Sequence, residues 1–338
     1  MGSDAPSAET LEAAFARGEP AALAVARARA YTLFSSWIRR GLVAESLPHA
    51  EALPELAEAL EPWRRSREGW DLEAAAAAHQ RVLGHEVFPV ASAFLDPAGR
   101  AGGEVTRSLQ DLLQDTGVPW DPTDEGPDHL AVLLDGLAFL SAAEAEAHRD
   151  GRGSTADAVR GQATRLLQRG LLSWWAPFSE AVRDEGEPFF ARLMDLIEAL
   201  LTDHWAGADT EREGEERSAL ASPLAQLLES PACGLADIAE HLTLPHGSGL
   251  FLSRRSIRDL ARTLGVPVGF GTRSQRLETL LRSAAEVDRW PEGIGLLIGR
   301  VRSAEARMAT PLAGETWIER LQQTRAGLES LRRVTLNT

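Results

Sequence analysis

The residue types that most often carry catalysis or bind metals form no convincing motif in this sequence. Cys233 is the single cysteine, so neither an intrachain disulfide nor a paired-cysteine zinc site can form. His241 and His246 are five residues apart, but helix breakers separate them and no carboxylate pair completes a metal site. The three glycines within 293–299 follow no predicted strand and therefore do not predict a nucleotide-binding turn. We expect no catalytic residue, no metal and no cofactor.

A polar feature stands immediately before a leucine-rich segment. Pro127, Asp128 and His129 precede Leu130, where apolar residues begin to recur at helical spacing. Aspartate is a good N-cap, so one interpretation makes Asp128 the cap of that helix. The other interpretation gives Asp128 and His129 a binding role.

Two clusters of large apolar residues also need an explanation. Both could be core, but the first lies in the long connection over 85–103, and a long connection in a compact domain is often functional. Indole N–H groups need acceptors, so one of two adjacent tryptophans should face a groove or an acceptor. The clusters are Phe88, Pro89, Phe94 and Leu95, then Trp174, Trp175, Pro177 and Phe178.

The elements that must position these residues are helices. Apolar residues recur every three or four positions and no stretch alternates as a strand would, so the sequence predicts an all-α fold. The predicted domains are a helical bundle over 1–206, a charged linker over 207–216 and a smaller helical extension over 217–338. The main predicted helices are 21–41, 72–83 (ended by Gly84), 105–115, one starting at 130, one ending at 172, 174–182, 189–204, 256–264, 275–285, 293–308 and 317–331.

Charge is distributed unevenly along the chain. The sequence has a net charge of −15, and all of its basic residues are arginine. From Glu215 onward there are 16 arginines and 14 acids, so the acid excess lies entirely in the N-terminal part. Such a domain repels nucleic acid and favours basic partners, although acid excess also keeps helical proteins soluble.

Four segments resemble motifs of one protein family, in the family's order. Gly126-Pro127-Asp128-His129-Leu130 resembles the E-P-x-D-H signature of the TorD/DmsD/NarJ family, the cytoplasmic chaperones of molybdenum-containing oxidoreductases. Residues 79–84 resemble its helix ending in Leu-Phe, and residues 89–96 its P-Y-E-S-V-Y-L loop. Residues 171–178 and 188–190 resemble its H-L-x-x-W-x-P-x-F and F-Y helices. The sequence departs from these motifs at five positions, which affect the expected specificity rather than the fold. They are Leu83, Val90, Ala91, Leu133 and Gly170.

The resemblance implies a chaperone without chemistry of its own. It would bind the twin-arginine leader or the apo form of a molybdopterin-dependent oxidoreductase, assist cofactor insertion and delay export. The acidic domain would complement the basic region of the leader, and apolar side chains would take its apolar region. The residues expected to bind leader or client are His79, Val82, Leu83, Phe88, Pro89, Ser92, Phe94, Pro127, Asp128, His129, Trp174, Trp175 and Phe178. The architecture is also compatible with a homodimer.

The C-terminal third permits two further interpretations. Residues 251–285 carry seven arginines and two acids, and two helices joined by 265–271 could form a helix-turn-helix. A helical DNA-binding regulator is therefore the alternative function, although the total charge is unfavourable for nucleic acid.

Within that region, Ser253-Arg254-Arg255 followed by Ser256-Ile257 resembles the core of a twin-arginine leader. One interpretation is a serine N-cap followed by exposed arginines. The other is a regulatory segment that docks on the acidic domain and competes with the client leader.

The sequence also favours a cytoplasmic location. Its first residues contain no basic and apolar signal-peptide regions, and no apolar run reaches the roughly 18 residues that a membrane span needs.

Overall fold

The computed structural model describes residues 18–66, 69–121, 125–206, 223–310, 312 and 314–333. Across these ranges the fold is the predicted all-α bundle. The exception is a short antiparallel hairpin, β1 (Arg64–Ser66) and β2 (Gly69–Trp70), which the sequence did not predict. The Arg64 guanidinium lies 4.6 Å from the ring centroid of Trp70, a cation–π contact that stabilises so short a pairing. The predicted linker 207–216 lies outside the described residues.

The N-terminal part consists of helices joined by short connections. Two 3₁₀ turns, Pro54–Leu56 and Glu61–Trp63, flank the four-residue helix Ala57–Leu60. Its α-helices are α1 (Pro20–Arg40), α2 (Leu47–Glu51), α3 (Ala57–Leu60), α4 (Leu72–His79), α5 (Ser92–Leu95), α6 (Gly103–Asp115), α7 (Leu130–Arg149), α8 (Gly153–Arg165), α9 (Ser173–Asp184) and α10 (Pro188–Ala206).

Helices α1 and α7 form the centre of this part and pack along much of their length. Their facing sides are apolar, and Tyr31, Trp37 and Leu133 are fully buried. The hydroxyl of Ser35, which is buried on α1, donates to the carbonyl of Ala131 at 3.1 Å and is therefore satisfied. The helical apolar spacing read from the sequence is therefore the spacing that builds the core.

Two of the helices continue through π-helical turns. Residues Gln80–Glu86 prolong α4, and Val87 N–H donates to the carbonyl of Val82 at 2.8 Å, five residues earlier. The prediction that Gly84 ends this helix is wrong, because the wider turn carries the chain past it. Residues Leu166–Leu172 similarly connect α8 directly to α9. Such turns re-aim side chains and are frequent at functional sites.

The C-terminal part is a second set of helices with its own apolar core. The side chains of Ser253 and Thr272 cap two of them by accepting from the N–H groups of Ser256 and Gln275. The helices are α11 (Leu224–Leu228), α12 (Leu235–Thr243), α13 (Pro245–Ser248), α14 (Arg254–Leu264), α15 (Arg273–Glu286), α16 (Trp290–Arg307) and α17 (Glu315–Arg332).

The two parts pack against each other through both apolar and polar contacts. Phe251 and Leu312 belong to the core of the N-terminal part, whereas Ala176 of α9 belongs to the core of the C-terminal part. The indole N–H of Trp317 donates to the carbonyl of Ser173 at 2.9 Å. The C-terminal part therefore covers the side of the bundle formed by α5 and α9.

In the part of the chain that the structure describes, no helix combines the length and the apolar character that crossing a membrane requires.

Candidate functional site

Most of the apolar residues predicted to bind a client lie in the interior of the bundle. At most 3% of each residue's surface is exposed in Val82, Leu83, Phe94, Trp174, Trp175 and Phe178. The aromatic residues among them form a cluster, in which the ring centroid of Phe94 lies 5.7 Å from that of Trp174 and 5.8 Å from that of Phe178. Pro89 and Pro127 are buried as well. The predicted open groove lined by these side chains is therefore absent from this arrangement, in which they pack the core.

The two tryptophans differ in how their N–H groups are placed. Trp174 donates from its indole N–H to the carbonyl of Gly170 at 2.8 Å. The indole N–H of Trp175 is buried and has no hydrogen-bond partner. The expectation that one of the pair meets an acceptor is confirmed.

Asp128 is a brace between α7 and the loop that precedes α5. Its carboxylate accepts from the hydroxyl of Ser92 at 2.5 Å and from the N–H of Ser92 at 3.2 Å. Its backbone carbonyl accepts from Ala91 N–H at 2.9 Å. Both side chains are buried, so these contacts act in a medium of low dielectric. Asp128 does not cap α7, which corrects the interpretation of this residue as the N-cap.

The N-cap of α7 is instead His129. Its Nδ1 accepts from Ala131 N–H at 3.2 Å, which requires the tautomer with an unprotonated Nδ1. A backbone bridge joins His129 to Val90, and Leu130 N–H donates to the carbonyl of Pro89 at 2.8 Å. The Pro127-Asp128-His129 motif therefore fastens the loop to the start of α7.

His79 has an equally structural position. It is buried, and its Nε2 lies 2.9 Å from the carbonyl oxygen of Ile38. A carbonyl can only accept, so the proton is on Nε2. Gly41, with a φ of 70°, lies so close that a Cβ there would be 2.9 Å from the Cβ of His79. His79 therefore ties the end of α1 to the end of α4.

Phe88 is the exposed member of the predicted set. About half of its surface, 49%, is accessible to solvent, although it is a large apolar residue. It lies between the π-helical turn and the residues that Asp128 braces. The brace therefore fixes the segment from which an aromatic ring projects.

Beside Phe88, acidic side chains of the N-terminal part meet the arginines of α14. Arg254 donates to the carbonyl of His85 at 3.2 Å, and the N–H of Arg255 donates to the carboxylate of Glu86 at 3.2 Å. The guanidinium of Arg255 donates to the carbonyl of Glu185 at 2.6 Å. We name Glu86, Asp184 and Glu185 the acidic recess. Sequence reasoning missed these acids, although the run 184–187 between two helices is rich in carboxylates.

Burial is the dominant electrostatic influence on this surface. It raises the pKa of Glu185 above its usual range, against the hydrogen bond from Ser253. Burial also raises the pKa of Glu180, although Arg307 donates to both of its oxygens at 2.7–2.8 Å and opposes that rise. Arg300 pairs with Asp184 close by. The junction between the parts therefore includes ion pairs whose carboxylates are largely buried.

Apart from Arg258, which lies 4.0 Å from Glu86, the remaining arginines of 251–285 make their contacts within the C-terminal part. Arg262 pairs with Asp259, and Arg282 pairs with Glu278. Arg273 stacks on Phe251, with its guanidinium carbon 4.3 Å from the ring centroid. The DNA-binding alternative receives no support. Among the residues described, no group of histidine, cysteine and carboxylate side chains could hold a metal ion.

Comparison with known families agrees with this geometry. Residues 44–180 match the family described as nitrate reductase delta subunit. This match agrees with the TorD/DmsD/NarJ family that the motifs resemble. The family prediction made from the four motifs is thereby confirmed. The match includes Phe88, the Ser92–Asp128 brace and Trp174, and it ends inside α9, before the C-terminal part. No curated protein gave a significant match.

Proposed function

We propose that this protein binds the leader peptide or the apo form of a molybdopterin-dependent oxidoreductase, assists insertion of the cofactor and delays export. The match of residues 44–180 carries this proposal, because the family consists of molybdoenzyme maturation chaperones and not of enzymes. The client is the catalytic subunit of such an enzyme. A cytoplasmic location and a homodimer belong to the same proposal, and sedimentation velocity tests the latter.

The surface around Phe88 supports the binding role. A leader peptide has a basic region followed by an apolar one, so its receptor needs carboxylates next to an exposed apolar group. Phe88 supplies the apolar group, and the acidic recess and the excess negative charge of the N-terminal part supply the carboxylates. Burying a few apolar side chains at about 1.5–3 kcal/mol each, less the ordering costs, gives roughly micromolar affinity.

Calorimetric titration of the full chain with a twin-arginine leader peptide tests the proposal, with a twin-lysine peptide as the control. We expect roughly micromolar binding that weakens for the lysine control and at high salt, because screening reduces charge attraction. Phe88→Ser should weaken binding, whereas Phe139→Ser should not. Phe139 is a matched control because it is 45% exposed but projects from α7, away from the loop. Absence of binding to any leader would refute the leader-binding role and direct the search to the mature client.

A further inference from the structure

Within the segment 250–256, Phe251 and residues 254–256 contact the N-terminal part, whereas Leu250 and Leu252 pack in the C-terminal core. Residues 250–253 connect α13 to α14 without forming a helix or a strand, and Ser253 has extended backbone angles. The ring of Phe251 stacks on Phe94 at 5.2 Å between centroids and an interplanar angle of 27°. Phe251 is 9% exposed although it belongs to the C-terminal part, and it is counted within the N-terminal core. An aromatic side chain of this segment therefore fills an apolar position in the bundle.

An arginine pair follows this apolar anchor and lies along the acidic recess. Arg254 and Arg255 bond to His85, Glu86 and Glu185 as described above, and the hydroxyl of Ser256 donates to Asp184 at 2.7 Å. The segment thus presents an apolar residue next to two adjacent arginines, which are the two chemical features of a basic leader.

The fit of this segment to the recess is incomplete. The guanidinium groups of Arg254 and Arg255 reach backbone carbonyls, whereas the carboxylate of Glu185 is buried and neither oxygen has a hydrogen bond of regular geometry. Glu86 reaches the guanidinium of Arg258 only at 4.0 Å. A buried carboxylate without a full set of donors is costly, and a guanidinium placed directly on it would be favourable. The recess therefore has the capacity to bind a better-placed arginine than those it holds.

We propose that the segment 250–256 is an intrachain ligand, and that it excludes from the acidic recess a client peptide in which adjacent arginines lie next to an apolar residue. This inference rests on the proposed function and adds the location and the regulation of the binding site. When a segment of its own chain occupies a site in most molecules, the site binds a partner more weakly. Its apparent affinity is the intrinsic affinity multiplied by the fraction of molecules in which the site is free. Peptide binding displaces the segment and frees Phe94 for the apolar residue of the peptide.

The test compares three full-length chains by calorimetry with the twin-arginine peptide. Arg254→Gln with Arg255→Gln removes the intrachain arginines. Arg262→Gln with Arg282→Gln removes the same charge from exposed positions of the same region. If the segment occupies nine molecules in ten, the first variant should bind the peptide about tenfold more tightly than the wild type, and the control should bind as the wild type does. In the wild type, the peptide should also accelerate amide hydrogen exchange over 250–257.

Each other result overturns the inference in a distinguishable way. Equal affinities of all three chains would refute the competition and leave the proposed function intact. Peptide binding to none of them would refute both the inference and the leader-binding role of the proposed function.

Glu86→Gln gives a second check that does not depend on the folding of the arginine variant. It should weaken peptide binding, whereas Glu58→Gln, an exposed acid on α3, should not. Wild-type affinity in Glu86→Gln would place the peptide outside the recess and refute the inference.

Discussion

Replacement of Asp128 separates a brace from a direct peptide contact. In Asp128→Ala the N–H and the hydroxyl of Ser92 lose their shared acceptor, at 3.2 and 2.5 Å, inside the protein. Hydrogen bonds to a charged group contribute about 1.5–3 kcal/mol each, and part of this returns because the Ser92 hydroxyl can turn to another acceptor. We expect the free energy of unfolding to fall by about 3 kcal/mol.

Ser92→Ala provides the matched perturbation from the other side of the contact. It removes one of the two donors and leaves the backbone bond, so it should cost about 1–2 kcal/mol. The double variant should cost less than the sum of the single variants by about 1 kcal/mol, because both remove the same hydrogen bond. Urea unfolding followed by circular dichroism gives the three values.

The same proteins should be titrated with the leader peptide. If Asp128 acts by holding the loop, peptide affinity falls in both single variants and follows the loss of stability. The reasoning fails if Asp128→Ala abolishes peptide binding while its unfolding free energy stays within about 0.5 kcal/mol of the wild type. That outcome would make the carboxylate a direct contact of the peptide.

Two further predictions concern buried charge and acid. Arg307→Ala leaves the buried Glu180 carboxylate unpaired and should lower the free energy of unfolding by about 2 kcal/mol, a moderate loss because Arg307 is itself partly exposed. The double variant Arg307→Met with Glu180→Gln should lower it less, because no unpaired charge remains. Equal losses for the two in urea unfolding would contradict the ion-pair argument. His204, which bonds to the Tyr31 hydroxyl at 2.7 Å, has a pKa lowered by burial to about 3, so only the unfolded chain takes up its proton as the pH falls from 6.5. The free energy of unfolding should therefore fall by about 1.4 kcal/mol per pH unit between pH 6.5 and about 3 because of this histidine. In His204→Gln, the slope of the unfolding free energy against pH should correspond to one fewer proton taken up on unfolding.

The helices were predictable because their signal is local. Apolar residues three and four positions apart decide which face of a helix is buried, and the observed bounds of α1, α6, α10 and α14 to α17 differ from the predicted ones by a few residues only. The π-helical turns were not predictable, since the additional residue per turn is stabilised by packing against other helices. Gly84 therefore misled the prediction of where α4 ends.

The candidate site was predicted as a set of residues but not as a geometry. Asp128 is the expected N-cap by residue type, but its carboxylate bonds to Ser92, which is 36 positions away in sequence, and His129 caps α7 instead. The apolar members of the motifs were recognisable as important, but spacing alone cannot tell a residue that packs the core from one that lines a groove. Phe88 and Phe94 belong to the same predicted connection, and only the structure shows that Phe88 is exposed whereas Phe94 is buried on α5.

Helix α9 packs against both parts of the protein and so joins the C-terminal part to the region that matches the family. At about 100° per residue, Trp174 and Phe178 share one face, while Ala176, Glu180 and Asp184 share another. The first face packs into the N-terminal core, and the second receives the C-terminal core and the Arg300 and Arg307 guanidinium groups. A helix buried on both faces carries apolar residues around much of its circumference, which is the pattern over 174–182. The family match ends within this helix, whose second face contacts the C-terminal part, and Asp184 of the acidic recess lies on that face.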